Sequence, residues 1–379
     1  MAGAILGPIV PQIQSELGVS GTAAGLIITT HGGVIVLASP LMGTLIDRVG
    51  PRRPFVGGLI IYGLGGGAGL FVDTFTTLLL SRVVLGIGTA AVYTSITVLI
   101  YNLYEGQAME RALGYRSSAN SAGAAVWPLV GGAAGTIAWN LPFGVYLVAL
   151  PLGLVAVLTI PKPAESSDSL DDSKPGENTP AGLGDRVRAT LAVFQRQPPL
   201  ALVYVLYFGA NVFLYAVVVF YPQLLSTVGV TSSFAISLYL AANGAAGGVS
   251  AALYDRLLTR ATRTSLITIA FLFWLLGFGL AVVMETPIGA LLPVILLGLG
   301  IGLVFPSTFA LVERFAPADR QGQFSSYIAS FGYTGQFVSP LLFGPLVPLV
   351  GIAGVFGVAG GIAGLAATGL LLWKVGQIR

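Results

Sequence analysis

No Asp, Glu, Lys or Arg occurs between Thr22 and Met42, and none between Pro54 and Val72. Each run is about the ~20 residues that an α-helix needs to cross the hydrocarbon core of a bilayer. Between them lies Gly43-Thr44-Leu45-Ile46-Asp47-Arg48-Val49-Gly50-Pro51-Arg52-Arg53, a short charged stretch. Such a stretch belongs at a membrane surface, and its three arginines place that surface in the cytosol.

The rest of the chain follows the same rule. Of 379 residues, 55% are hydrophobic and only 9% charged, against about 25% charged in a soluble domain. The 52 glycines fit helices that approach one another closely within lipid. The net charge of +3 is spread over membrane loops, which argues against nucleic acid as a partner. Cysteine is absent, which excludes disulfides, thiol catalysis and thiolate metal sites. A single histidine leaves little for a transition metal, so no metal or cofactor is expected. Met1 to Val10 lacks the basic start of a cleavable signal peptide. No nucleophile–base constellation points to an enzyme.

Read in order, the stretch from Met1 to about Pro11 is too short to span and reads as the outer half of a first helix; Gln12 to Gly21 reads as an external loop. Full spans follow at 22–42, 54–72, 77–101, 113–136 and 141–160, and again at 199–222, 232–254, 264–284, 287–312, 322–347 and 351–374. Between the sets lies a polar segment, 161–198, with Glu165, Asp168, Asp171, Asp172, Glu177 and Asp185. Its composition predicts a mobile linker that grades into a basic amphipathic piece at Arg186 to Arg196. The organisation is thus 1–160, 161–198 and 199–379: two six-helix bundles joined by a cytosolic linker. The basic residues, Arg116 among them near the start of its span, fall on one side, while the opposite loops carry only Glu16, Asp73 and Glu285. That asymmetry puts the linker and the C-terminus in the cytosol.

The halves resemble each other. Leu45-Ile46-Asp47-Arg48 returns as Leu253-Tyr254-Asp255-Arg256, Arg52 as Arg260, and Ser117-Ser118 as Ser325-Ser326, all 208 positions later. Leu85-Gly86-Ile87-Gly88 resembles Leu299-Gly300-Ile301-Gly302. The second copy has Ala251 for Gly43 and Leu258 for Gly50, so the first is the more constrained.

The pattern G-x-L-x-D-R-x-G-x-R-R at Gly43 to Arg53 resembles the loop 2–3 signature of the major facilitator superfamily. Arg82-Val83-Val84-Leu85-Gly86-Ile87-Gly88 is similar to the helix 4 arginine motif of its drug:proton antiporters. The stretch Gly123 to Gly132, with Pro128, Gly131 and Gly132, is similar to their helix 5 motif, but Trp127 replaces a glycine; it is expected to bend the helix and pack it closely. The resemblance implies an all-α membrane fold with substrate bound near the midplane between two pseudo-symmetric halves. It also implies gating contacts. Asp47 would face the start of helix 11 near Asp319 to Gln323, Asp255 would face the start of helix 5, and Arg48, Arg52 and Arg53 would pair with Glu105, Glu110 or linker acids. Gly43, Gly50, Arg256 and Arg260 complete that set.

Two residues stand out within the spans. Arg82 lies in an apolar run, where an ionised group costs roughly 2.5–3.5 kcal/mol on insertion scales and is usually functional; otherwise it would snorkel to the outer surface. His31, mid-helix, could exchange protons. Tyr93, Asn120, Trp127, Asn211, Tyr215, Asn243, Tyr333 and Gln336 are further candidates to line a cavity. No Asp or Glu lies deep in a visible span, and the family's usual embedded acid belongs to helix 1.

The expected function is secondary transport by alternating access, namely proton-coupled efflux of amphipathic small molecules by a monomer in the cell membrane. Two other readings stay open: import or exchange of a small organic anion held by Arg82, and a membrane sensor or scaffold that moves nothing.

Overall fold

The computed structural model describes residues 3–161, 188, 192–317 and 320–376, and among them every regular element is a helix. A 3₁₀ segment, Ala4–Ile9, leads into α1 (Val10–Leu17). Then come α2 (Gly21–Val49), α3 (Arg52–Gly67), α4 (Phe75–Leu103) and α5 (Gly106–Gly135). A 3₁₀ run, Leu141–Val148, precedes α6 (Ala149–Thr159). The second set is α7 (Pro198–Thr227), α8 (Ser233–Ala252), a short helix at Tyr254–Leu258, α9 (Arg263–Val283), α10 (Leu291–Phe315), α11 (Gln321–Phe343) and α12 (Val347–Gly376). Among the described residues eight helical segments are long and apolar enough to cross a bilayer. One of them, 327–372, is continuous only in outline: Gly351, near the start of α12, breaks it with φ 72°, so it makes two crossings, one on either side of that residue.

Several boundaries differ from the hydropathy reading. The expected external loop, Gln12 to Gly21, is mostly helix. Gln12, Gln14 and Ser15 are the wetter face of α1, whose Val10 and Ile13 are buried; only Gly18, left-handed at φ 61°, to Ser20 links it to α2. Ser20 then caps α2 by accepting from the Ala23 N–H. The charged stretch is helical too. α2 runs through Asp47 and Arg48 to Val49, and the turn is only Gly50-Pro51, with Gly50 at φ 75°. That dihedral suits glycine and explains why the position holds one. The second copy has no such turn: Leu258 closes the Tyr254–Leu258 helix with ordinary dihedrals. The fifth helix begins at Gly106, seven residues before the expected 113.

Small residues set the packing. α4 lies against α2 and α3, and α10 against α8 and α9. A Cβ on Gly86 would stand 2.6 Å from Val34, and one on Gly88 2.5 Å from the Tyr62 nitrogen. A Cβ on Gly300 would strike the Trp274 ring and one on Gly302 the Gly247 carbonyl. The two Leu-Gly-Ile-Gly motifs are therefore close-approach surfaces. Most of the 161–198 linker, including its acids, lies outside the described residues, as does Asp319. Its last part does not: residues 192–196 are helical, and Phe194 packs edge-on against Tyr204 of α7 and Phe324 of α11, with centroids 5.5 and 5.7 Å away.

Candidate functional site

The two sets of helices meet along two seams, α2 with α11 and α5 with α8. Both seams are tight toward the end of the molecule that carries Ser20 and Asn140. There a Cβ on Gly25 would stand 2.7 Å from Pro340, and one on Gly33 3.0 Å from the Phe337 ring; Thr22 touches Gly344. The Ser233 hydroxyl donates to the Gly132 carbonyl at 2.9 Å. Five turns further along the same faces these contacts are gone: Cβ atoms on Gly43 of α2 and Gly114 of α5, each 18 residues from Gly25 and Gly132 respectively, would meet nothing within 4 Å. The space between the seams is thus closed at one end and open at the end that carries Arg48 and Arg53.

About a third of the way along α4 and α5 from the open end, this space holds a polar, aromatic cluster. Tyr93 of α4 meets Tyr333 of α11 edge-on, with ring centroids 6.2 Å apart. The Arg116 guanidinium of α5 sits 4.7 Å from the Tyr93 ring centre. Arg116 is ten residues into α5, about 15 Å along it at 1.5 Å per residue. Tyr93 is ten residues from the same end of α4 and so lies level with it. The hydropathy reading placed Arg116 with the loop arginines because it started this helix too late; the charged first turns, Glu110 and Arg111, hid it. Gln336 donates to Asn211 Oδ1 at 3.0 Å, and Asn211 donates to the Tyr207 carbonyl at 2.9 Å, which ties α11 to α7 beside Tyr333. Asn120 is exposed one turn from Arg116 and on the same face. Tyr215 is buried nearer the sealed end, its hydroxyl 3.1 Å from where a Gly3 Cβ would lie.

Arg82 lies elsewhere. It is 1% exposed, so it does not snorkel to a surface. Its Nη2 donates to the carbonyls of Gly65 at 3.1 Å and Gly66 at 2.8 Å, in the last turn of α3. Its Nε donates to the Ser81 hydroxyl at 3.2 Å. The guanidinium stacks against Phe143 at 4.9 Å and Tyr146 at 5.3 Å, both from the 3₁₀ run before α6. It therefore caps α3 and joins α3, α4 and the α6 entry. His31 is also buried, at 3% exposure, where the α2 backbone meets Gly86. Asn243 donates to the Val294 carbonyl at 2.9 Å and packs α8 on α10.

The helix 5 motif acts through close packing. α5 runs as one uninterrupted α-helix through Pro128. Cβ atoms on Gly131 and Gly132 would run into the Ile5 carbonyl and Ser237. Gly123 is buried on the same helix. Trp127 lines a cavity of about 200 Å³ with Ile5, Tyr62, Tyr146 and Leu152, between α3, α5 and α6.

The charged turn divides its roles. Among the described residues Arg52 binds backbone: its Nε and Nη2 donate to the carbonyls of Ile160 at 2.9 Å and Val157 at 2.6 Å, at the end of α6, while the linker acids offered to it lie outside those residues. A cation there meets the negative end of the helix dipole. Asp47, Arg48, Arg53, Asp255, Arg256 and Arg260 are exposed, and a Cβ on Gly43 would meet nothing within 4 Å.

Long apolar helices around an aromatic, arginine-bearing space closed at one end define a multi-pass helical membrane protein with an internal site. The chain belongs to the Major Facilitator Superfamily, whose model matches residues 1–340. Over 150 residues it is 29% identical to the bacillibactin exporter of Bacillus subtilis (strain 168), which covers 38% of this chain and 37% of that protein. Over 163 residues it is 29% identical to multidrug resistance protein 1 of the same organism, covering 43% and 42%. These matches span about two fifths of each relative. The quinolone resistance protein NorA of Staphylococcus aureus (strain MRSA252) is 24% identical over 350 residues, 89% of this chain and 84% of that protein. Among solved structures, a point mutant of the nucleoside transporter NupG superposes with a TM-score of 0.79 at 14% identity, covering 98% of this chain and 95% of that one. A bacterial homologue of the lysosomal transporter Spinster, inward-facing and unoccupied, gives 0.74 at 15%, covering 98% and 92%. At such identities these two likenesses concern the fold.

Proposed function

We propose that this chain is a secondary transporter that exports amphipathic small molecules across the cell membrane by alternating access, in exchange for protons. The observation that carries this reading is the Tyr93–Tyr333–Arg116 cluster inside the bundle, in a space sealed at one end and open at the other. The open end bears Arg48, Arg53, Arg256 and Arg260, which makes it cytosolic. The conformation is then inward-facing, with the site accessible to cytosolic substrate. The names of the relatives, an exporter and two resistance proteins, support export.

Two halves, 1–160 and 199–379, would rock about the seams as pseudo-symmetric copies. The like neighbours of α4 and α10 and the repeated Asp-Arg motifs support that division. Closing the cytosolic end would bring Gly43 and Asp47 of α2 toward α11, and Asp255 toward α5. His31 is the proton-carrying candidate on α2. Arg82 gives Nη2 to two backbone carbonyls and Nε to the Ser81 hydroxyl, which argues for a positioning role, although its buried Nη1 has no hydrogen-bond partner among the described residues.

The test is flux in inside-out vesicles. An interior-acid pH gradient should drive concentrative uptake of amphipathic aromatic probes, and His31→Gln should weaken the dependence on the gradient. A correctly folded protein that moves none of a chemically broad panel would favour the sensor or scaffold reading.

A further inference from the structure

We infer that Arg116 is the charged anchor of the central site, and that the molecules it selects are amphipathic anions: a carboxylate, or a like acid group, joined to an aromatic or apolar body. This rests on the transport reading above and names its substrate class.

Three observations carry it. The first is depth. About 15 Å into α5, a third of its length from the end near Arg111, the guanidinium stands level with the Tyr93 ring and past the charged first turns, where a charge is retained for a function. The second is partnership. Among the described residues, no hydrogen-bond acceptor or carboxylate engages Arg116; its contact is the face of Tyr93 at 4.7 Å. Arg82, by contrast, is held by two carbonyls and a hydroxyl. Glu110 cannot stand in, because six residues on an α-helix set its side chain about 120° round the helix from that of Arg116 and about 9 Å along it. Arg116 is half-buried, and its guanidinium lies over the ring of Tyr93, which pairs with Tyr333 across the space between the seams. The third is the surroundings. Tyr93 and Tyr333 form an edge-on pair beside the cation, and Asn120 adds a polar group one turn along the same face of α5. A planar fork of donors next to aromatic faces matches a ligand with an acid at one end and a ring at the other. Neutralisation of the guanidinium by the ligand's own charge would also remove a barrier to the charged cluster being enclosed when the open end closes.

The test uses the full chain in nanodiscs and three probes of one shape: 1-pyrenebutyrate, its neutral amide, and 1-pyrenebutylamine. Saturable binding is separated from lipid partition by competition with excess unlabelled ligand of the same charge. The wild type should bind the carboxylate at least tenfold more tightly than the amine. Arg116→Gln should lose that preference and bind the amide as the wild type does, and Arg116→Lys should keep part of it. Unchanged binding of the amide shows that the variant is folded. Equal carboxylate affinity in Arg116→Gln and the wild type would overturn the inference. A wild type that binds the amide or the amine but not the carboxylate would overturn it and leave the transport reading standing. A wild type that saturably binds none of the three would overturn both.

Discussion

Gly25 of α2 and Pro340 of α11 are in such close register that a Cβ on the glycine would stand 2.7 Å from the proline ring. Val219 of α7 closes on the same point at 2.8 Å. This close approach belongs to the seam between the two sets of helices, and it lies at the sealed end. Gly25→Val should therefore pry α2 from α11 without emptying a core. Because the chain has no cysteine, a single reporter such as Gly32→Cys can be read on a clean background. Labelling of that reporter by an impermeant maleimide from outside the cell should rise several-fold in the Gly25→Val background. An unchanged rate would mean that the seam does not control access.

Arg52 binds the last carbonyls of α6, and its loss should show as instability. Arg52→Ala should lower unfolding free energy by about 1–2 kcal/mol, the scale of a cation at a helix C-terminus with its hydrogen bonds. Thermal melting in detergent would read it. Normal melting with transport lost would instead make Arg52 part of the gate.

Arg82 holds a stronger position. Arg82→Ala would leave the Gly65 and Gly66 carbonyls without their charged donor and open a void beside Phe143 and Tyr146. The expected cost is about 3 kcal/mol or more, seen as poor yield and early melting. Arg82→Lys should recover only part, because an ammonium cannot present the planar fork. An Arg82→Ala protein that melts like the wild type yet fails to transport would return Arg82 to the substrate or proton site.

Gly43 and Asp47 touch little in this conformation, which is what residues needed only in the closed-cytosol state would do. Gly43→Leu and Asp47→Asn should leave melting unchanged and slow transport about tenfold. Asp255→Asn should slow it less, since its copy of the motif lacks both glycines. Equal defects in vesicle transport for Asp47→Asn and Asp255→Asn would remove the asymmetry.

Hydropathy made the spans legible, and the abundance of glycine pointed to close helix approach, which the structure shows at Gly86, Gly88, Gly300 and Gly302. It misjudged helix ends, for a physical reason. A helix continues past the lipid wherever its backbone stays hydrogen-bonded, so the charged Asp47-Arg48 and the first turns of α5 read as loop while being helical. That error concealed Arg116, whose depth follows only from the start at Gly106. Nor could the sequence show what Arg82 binds, because its partners are backbone carbonyls, which every residue carries. The Tyr93–Tyr333 pair joins residues 240 positions apart, and only the fold brings them together.

The most direct measurement is the sidedness of a residue inside the central space. Asn120, exposed beside Arg116, can be replaced by cysteine and labelled in right-side-out and inside-out vesicles. The inward-facing, alternating-access account predicts fast labelling from the cytosolic face, negligible labelling from outside at rest, and a rise in outside labelling when a transported substrate drives the cycle. Labelling of Asn120→Cys from outside at rest, or labelling from the cytosol that no substrate changes, would contradict it.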